Sequence, residues 1–111
     1  PALFPSELIA SEVRNTGCRD PHVASNFSYQ EPSLVFLLGT HTRFTDGAGA
    51  AEFLRAGACH FALIDPRNER SFVQRANAIG LRYTLMQRLE GYNISIGKPV
   101  VMALFRSADS P

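Results

Sequence analysis

Apolar residues recur along this chain at two spacings, one typical of helices and one typical of strands. The helical spacing predicts four helices, each with a plausible capping residue, proline or glycine at a boundary. They cover residues 6–16, Pro32 to Gly39, 47–56 and 68–79. The second helix is ambiguous, because the short apolar run from Leu34 to Leu38 also suits a strand.

Strand-like segments alternate with these helices. β-branched, aromatic or continuously apolar residues predict strands over 21–26, 40–44, 60–65, 81–89 and 99–105. The last two form an antiparallel hairpin, joined by a connection that runs from Gly91 to Gly97. The order of elements predicts an α/β fold: a small three-layer sandwich whose mostly parallel sheet of about five strands ends in that hairpin.

Length and composition fit one folded domain. The chain has 111 residues, of which 45% are hydrophobic and 19% are charged. Its net charge is +1 without a basic block, so nucleic acid is not expected as a partner. No apolar run approaches the roughly 20 residues that a spanning helix needs, which predicts a soluble domain. The start without Met or a signal peptide suggests a fragment of a larger protein.

The candidate ligand site lies where the parallel strands end, because ligands bind at that edge in open α/β sheets. Residues 26–31, 45–47 and 65–68 build this edge. Its polar side chains could hold a small polar molecule such as a sugar: Tyr29, Glu31, Asp46, Asp65 and Arg67. The same residue types are common in turns and helix caps, and that is the interpretation we favour.

The segment Gly47-Ala48-Gly49 follows a strand and opens a helix, as a dinucleotide-binding motif does. Glu52 stands where the third glycine of that motif belongs, so we interpret the segment as a helix start with small residues for close packing. No nucleophile with its base, and no facing pair of carboxylates, can be assembled. We therefore predict no catalytic residue and no cofactor in this chain.

Three histidines, His22, His41 and His60, lie at the starts of predicted strands. They would gather at one edge only if those strands were adjacent in the sheet. None is within metal-ligand spacing of another along the sequence, so we predict no metal site and expect satisfied or partly exposed histidines.

Three short motifs stand out at 29–36 (YQEPSLVF), 50–54 (AAEFL) and 91–97 (GYNISIG). Together they resemble the C-terminal extracytoplasmic domain of bacterial membrane glycosyltransferases of the C superfamily. These proteins are similar to the lipid A aminoarabinose transferase and, distantly, to protein mannosyltransferases. The resemblance spans most of the chain, although each motif is short.

The resemblance implies a parent enzyme that moves a sugar from a polyprenyl-phosphate donor to a lipid or other acceptor. Its catalytic centre would lie between transmembrane helices outside these residues. The domain would sit on the periplasmic face of the bacterial inner membrane, against the transmembrane portion of the same chain and near a glycan or lipid acceptor. Tyr92 and Asn93 join the ligand-binding candidates. The alternatives are a free-standing α/β module that binds a small polar ligand and a domain used only for assembly.

Two cysteines, Cys18 and Cys59, lie 41 residues apart, and the residues alone leave a disulfide and two buried thiols open. In a sheet of order 2-1-3, the strands that follow them are neighbours, so both cysteines would lie at the same N-terminal edge. The periplasmic location that the resemblance implies favours a disulfide.

Overall fold

The computed structural model describes residues 6–26, 41–93 and 98–108. The described residues form three helices and five strands in the order α1 (Ser6–Arg14), β1 (His22–Ser25), β2 (His41–Phe44), α2 (Gly47–Arg55), β3 (His60–Ile64), α3 (Pro66–Ala78), β4 (Tyr83–Asn93) and β5 (Lys98–Ser107). The helix predicted from Pro32 to Gly39 lies outside these residues. Every other predicted element is present, with shifted ends.

The five strands form one mixed sheet in the order β2-β1-β3-β5-β4. β1 pairs in parallel with both β2 and β3, whereas β5 pairs antiparallel with both β3 and β4. The prediction of parallel strands followed by an antiparallel hairpin is therefore confirmed. The predicted 2-1-3 neighbourhood of the parallel strands is confirmed as well.

Helices cover both faces of the sheet, which confirms the three-layer sandwich. On one face, Ile9 and Val13 of α1 pack into a fully buried cluster with strand residues Val23, Phe61, Leu63, Leu89, Met102 and Leu104. On the other face, α2 and α3 pack through Ala50, Ala51, Leu54, Phe72 and Ala76. The many alanines of this second cluster let α2 approach the sheet closely, and Phe72 stacks on Phe105 with ring centroids 4.7 Å apart.

Two helix ends depend on glycines with positive φ. Gly17, which follows α1, has φ +82°, and Gly80, which follows α3, has φ +68°. Both continue the chain in the left-handed region that L-residues with side chains rarely adopt. Helix α3 begins at Pro66 rather than at residue 68 as predicted, because Asp65 caps it and proline fits its first position without losing a hydrogen bond.

The hairpin is longer than predicted. Gly91 pairs with Val100 inside the β4–β5 ladder, so it belongs to a strand and not to the connection. Gly97, the other end of the predicted connection, lies outside the described residues. β3 stops at Ile64, but β4 and β5 continue beyond it for five further residue pairs, or roughly 16 Å. We call this extension, residues 89–93 with 98–102, the β-arm.

Candidate functional site

Polar residues follow all three parallel strands at what we call the C-terminal edge. Asn26 follows β1, Thr45 and Asp46 follow β2, and Asp65 follows β3. Asp46 and Asp65 therefore lie at the edge where the sequence placed a ligand, and each immediately precedes a helix.

Both aspartates act as helix N-caps. The Asp46 carboxylate accepts a 2.8 Å hydrogen bond from the backbone N–H of Gly49. The Asp65 carboxylate accepts two hydrogen bonds from Asn68, one from its backbone N–H at 3.0 Å and one from its side-chain amide at 2.9 Å. Each cap satisfies helix N–H groups that otherwise have no partner in the helix. The favoured interpretation, that these are cap residues, matches this geometry.

Two asparagines that the sequence did not single out connect the segments of this edge. The side chain of Asn26, 7% exposed, donates to the backbone oxygen of Thr45 at 2.7 Å and accepts from the backbone N–H of Asp65 at 3.3 Å. The side chain of Asn68 accepts from the backbone N–H of Gly47 at 3.3 Å. Their positions in the sequence could have revealed this role, because asparagine at the end of a strand or in a first helical turn commonly forms hydrogen bonds to the backbone.

Gly47 is required by packing. A Cβ at this position would collide with the backbone oxygen of Asn68, the Ser71 hydroxyl and the backbone nitrogen of Phe72. The first turns of α2 and α3 are therefore in direct contact. An anion at the start of α2 would meet the Asp46 carboxylate and N–H groups that already have acceptors. The geometry supports the close-packing interpretation of the glycine segment over a phosphate-binding one.

The remaining ligand candidates do not join one described site. Arg67 is exposed in the first turn of α3, and Tyr29 and Glu31 lie outside the described residues. The backbones of Tyr92 and Asn93 pair with Pro99 and Lys98 at the far end of the β-arm. That arm extends past the C-terminal edge, so both residues are on the same side of the molecule as the caps. Ligand binding by any of them stays a prediction.

The opposite side of the sheet, the N-terminal edge, carries a covalent link. Cys18 and Cys59 form a disulfide, with Cα atoms 5.8 Å apart, within the range that such a bond requires. The backbone N–H of His22 also donates a 2.9 Å hydrogen bond to the backbone oxygen of Cys59. A hydrogen bond therefore joins the start of β1 to the segment before β3, beside the disulfide. The disulfide joins the segment after α1 to the segment before β3.

Three histidines begin the three parallel strands in one register. His22 is the Cα partner of His41 on one side and of His60 on the other. The imidazole rings of His22 and His60 are 5.1 Å apart between centroids. The sequence left open whether these three strands are adjacent, and in the structure they are.

Neighbouring groups hold two of the histidine rings. The His60 ring stacks on Phe53 at 4.2 Å, and its Nδ1 lies 2.7 Å from the backbone oxygen of Phe53. A Cβ at Gly57 would collide with the same ring. The Nε2 atom of His22 lies 3.3 Å from a carboxylate oxygen of Asp20. Phe53 was not recognised from the sequence, where it is one apolar residue of an amphipathic helix.

A surface ion pair joins α3 to β4. The Glu69 carboxylate accepts two hydrogen bonds from the Arg88 guanidinium, at 3.0 and 3.2 Å. The hydrogen bonds, and next the negative charge of Glu69, raise the pKa of Arg88 above its ordinary value. The pair lies at the base of the β-arm.

Comparison with protein-family models, with curated proteins and with solved structures finds no match. Within residues 6–26, 41–93 and 98–108, no helix is long and apolar enough to cross a membrane. Among the side chains described there, no three histidines, cysteines or acids form a group ready to hold a metal ion. The His41 side chain is not among them.

Proposed function

We propose that this chain is a periplasmic accessory domain of a bacterial membrane glycosyltransferase that uses a polyprenyl-phosphate-linked sugar. The catalytic centre of that enzyme would lie in other parts of the protein. The motifs at 29–36, 50–54 and 91–97 support the family. The observation that supports a periplasmic location is the Cys18–Cys59 disulfide, because such bonds persist in the periplasm and are rare in the cytosol.

The C-terminal edge supports an accessory role over a catalytic one. The carboxylates of Asp46 and Asp65 accept hydrogen bonds from helix N–H groups. Both carboxylates are therefore already used to hold the first turns of α2 and α3 in place.

The β-arm is the part of this domain that we expect to contact the transmembrane portion of the same chain or the acceptor. It extends beyond β3 on the side where the helix caps lie, and Val101 on it is 43% exposed. The Arg88–Glu69 pair joins its base to α3 at the surface. Within this extension the two strands pair with each other, so their inward-facing backbone groups keep hydrogen-bond partners beyond the end of β3.

Two assays on the same strains test the proposal. Membranes from a strain that lacks the gene should lose transfer of the polyprenyl-linked sugar, and the reintroduced wild-type gene should restore it. The isolated 111-residue chain should show no turnover of the same donor. Unchanged transfer after deletion would contradict the family assignment, and turnover by the isolated chain would contradict the accessory role.

A second candidate is a free-standing α/β module for a small polar ligand, and one observation favours it. A cleft of about 420 Å³ opens between the last turns of α2 and α3, lined by Arg55, Ile79, Leu81 and Ser107 among others. Its mixture of apolar and polar walls is typical of small-molecule sites. Saturable binding of a sugar or another polar metabolite, lost on replacing Arg55 by alanine, would support this module over the accessory domain.

A further inference from the structure

We propose that the outer edge of β4 pairs with the same edge of a second copy of this chain, which forms an antiparallel two-fold dimer with one continuous sheet. β4 pairs with β5 on one side, and no described strand pairs with its other side, which we call the β4 edge. The proposal is independent of the glycosyltransferase assignment, because it uses only the backbone of β4 and two charged side chains on it.

β4 is long for an edge strand. It has 11 residues, whereas β2 at the other end of the sheet has 4. About half of the backbone N–H and C=O groups of an edge strand point away from the sheet, where they can bond to another strand. The ladder with β5 is irregular between Leu85 and Gln87 and regular from Gln87 onward. The regular stretch is therefore the part of the β4 edge that suits a second copy.

Two opposite charges lie on one face of this regular stretch. Arg88 pairs across the ladder with Ala103, which packs beneath α2 and α3. Glu90 is two residues further along the strand, so its side chain is on the same face. Both side chains reach solvent. Glu90 forms no ion pair with any other side chain that the structure describes. It is therefore available to a cation of another chain.

Two-fold symmetry limits how two copies of β4 can pair. Residues directly opposite each other are on the same face, so such a dimer is centred on one residue that faces its own copy. A centre at Arg88 or at Glu90 would place like charges opposite each other. A centre at Leu89 places Arg88 of each copy opposite Glu90 of the other. The charges therefore favour the register that is centred on Leu89.

Arg88 has the donors to contact a second carboxylate while it stays bonded to Glu69. A guanidinium carries five N–H donors. The hydrogen bonds to Glu69, at 3.0 and 3.2 Å, use one N–H of each terminal nitrogen. The other N–H groups can donate to Glu90 of the second copy. Each end of the pairing would then contain a row of three charges, with Arg88 between two carboxylates.

The described helices leave the β4 edge accessible. Leu85 is on the face that α2 and α3 cover, since it pairs with Phe105, yet it is 42% exposed. Gln87, which pairs with Leu104 on the opposite face, is exposed as well. A second strand can therefore approach β4 from the side without displacing a described helix.

Sedimentation velocity of the 111-residue chain over a range of concentrations tests the dimer. We expect the wild type to change from monomer to dimer as its concentration rises. Glu90→Arg should weaken the dimer at least about tenfold, because it places like charges opposite each other at two symmetric positions. Arg88→Glu should do the same. Glu7→Arg is the matched control, because Glu7 is an exposed acid on α1 and the change in charge is equal.

A mixture of the two weakened variants tests the register itself. Each variant alone places like charges opposite each other, but in the mixture every arginine of Glu90→Arg faces a glutamate of Arg88→Glu. We therefore expect mixed dimers at concentrations where each variant alone is monomeric. Far-UV circular dichroism and thermal melting establish that each variant is folded. Glu90→Arg tests the dimer by itself if Arg88→Glu does not fold, since Glu90 has no described ion pair to lose.

Three results would overturn the proposal. A wild type that stays monomeric at every concentration would leave the β4 edge to a strand of a different chain. A dimer that persists unchanged in Glu90→Arg would place the interface elsewhere on the molecule. Folded variants that do not associate when mixed would exclude the register centred on Leu89.

Discussion

The two edges of the parallel strands use their polar residues in opposite ways. At the C-terminal edge, Asp46, Asp65 and Asn68 bond to backbone N–H groups of α2 and α3, and Asn26 bonds to the segments that follow the strands. At the N-terminal edge, side chains contact one another instead: Cys18 and Cys59 form a disulfide, and the rings of His22 and His60 lie 5.1 Å apart between centroids.

This difference shows that the position of an edge does not decide its role. Ligands of open α/β folds bind at the carboxyl ends of the strands, and the sequence analysis looked for a site there while favouring caps and turns. Here the acids at those ends cap helices, so the hydrogen bonds that each polar group already makes are more informative than its position.

The largest effect should follow removal of the disulfide. Replacing Cys18 and Cys59 together by serine should lower the free energy of unfolding by about 4 kcal/mol, because the unfolded chain regains the entropy of a loop spanning 41 residues. Urea denaturation of both proteins, with and without reductant, measures this loss. Reductant should destabilise the wild type alone, and equal stability of all four samples would exclude a structural role for the bond.

Next in size is the contact between the first turns of α2 and α3. Gly47→Ala places a Cβ against the backbone of Asn68 and Phe72, which has little freedom to move. Forced overpacking of this kind costs about 2 kcal/mol. Ala48→Ser, one residue along the same helix, is the matched control and should change stability little. Thermal melting of the three proteins compares them, and a stable Gly47→Ala variant would refute the close packing.

The two caps should have smaller and unequal effects. Asp65→Ala and Asp46→Ala each remove an N-cap, at a cost of about 1 kcal/mol. Asp65 should contribute more, because it is half-buried and accepts two hydrogen bonds, whereas Asp46 is exposed and accepts one. The Asp→Asn variants keep an acceptor at each position and serve as controls. Equal melting temperatures of the wild type and Asp65→Ala would contradict the stabilising role of the Asp65 cap.

The smallest effect should come from the Arg88–Glu69 pair at the base of the β-arm. Both side chains reach solvent, and exposed ion pairs contribute little and are screened by salt. Any change in melting temperature for Arg88→Met should therefore disappear in about 1 M NaCl. A salt-independent loss would mean that the packing of the Arg88 stem, not its charge, supports the β-arm.

Local patterns predicted most of the fold. The apolar run of β3, the Asp46 cap and the glycine stop at Gly80 each act within a few residues, so the sequence alone sufficed to place them. The predicted bounds of the hairpin were wrong. Gly91 was assigned to the connection because glycine is common in turns, but it pairs with Val100 within the β4–β5 ladder. That pairing depends on a distant strand, which a local pattern does not contain.

The candidate sites were harder to predict for the same reason. Asp46 and Asp65 are the exception, because a cap acts within one helical turn and the favoured interpretation already had them as cap residues. The histidine register required the order of three strands, and the histidines are at least 19 residues apart along the chain. The contact between His60 and Phe53 depends on how α2 packs over the sheet. Long-range pairing is therefore the part that the sequence left open.

The thiol content of the protein from its own cells tests the proposed compartment most directly. Cells are lysed in a denaturant with a thiol-blocking reagent and no reductant, and the mass of the chain reports how many cysteines were blocked. We expect no blocked cysteine, since Cys18 and Cys59 are joined in the structure and the periplasm keeps such bonds oxidised. After reduction, the same protein should take up two labels. Two blocked cysteines without reduction would contradict both the disulfide and the periplasmic assignment.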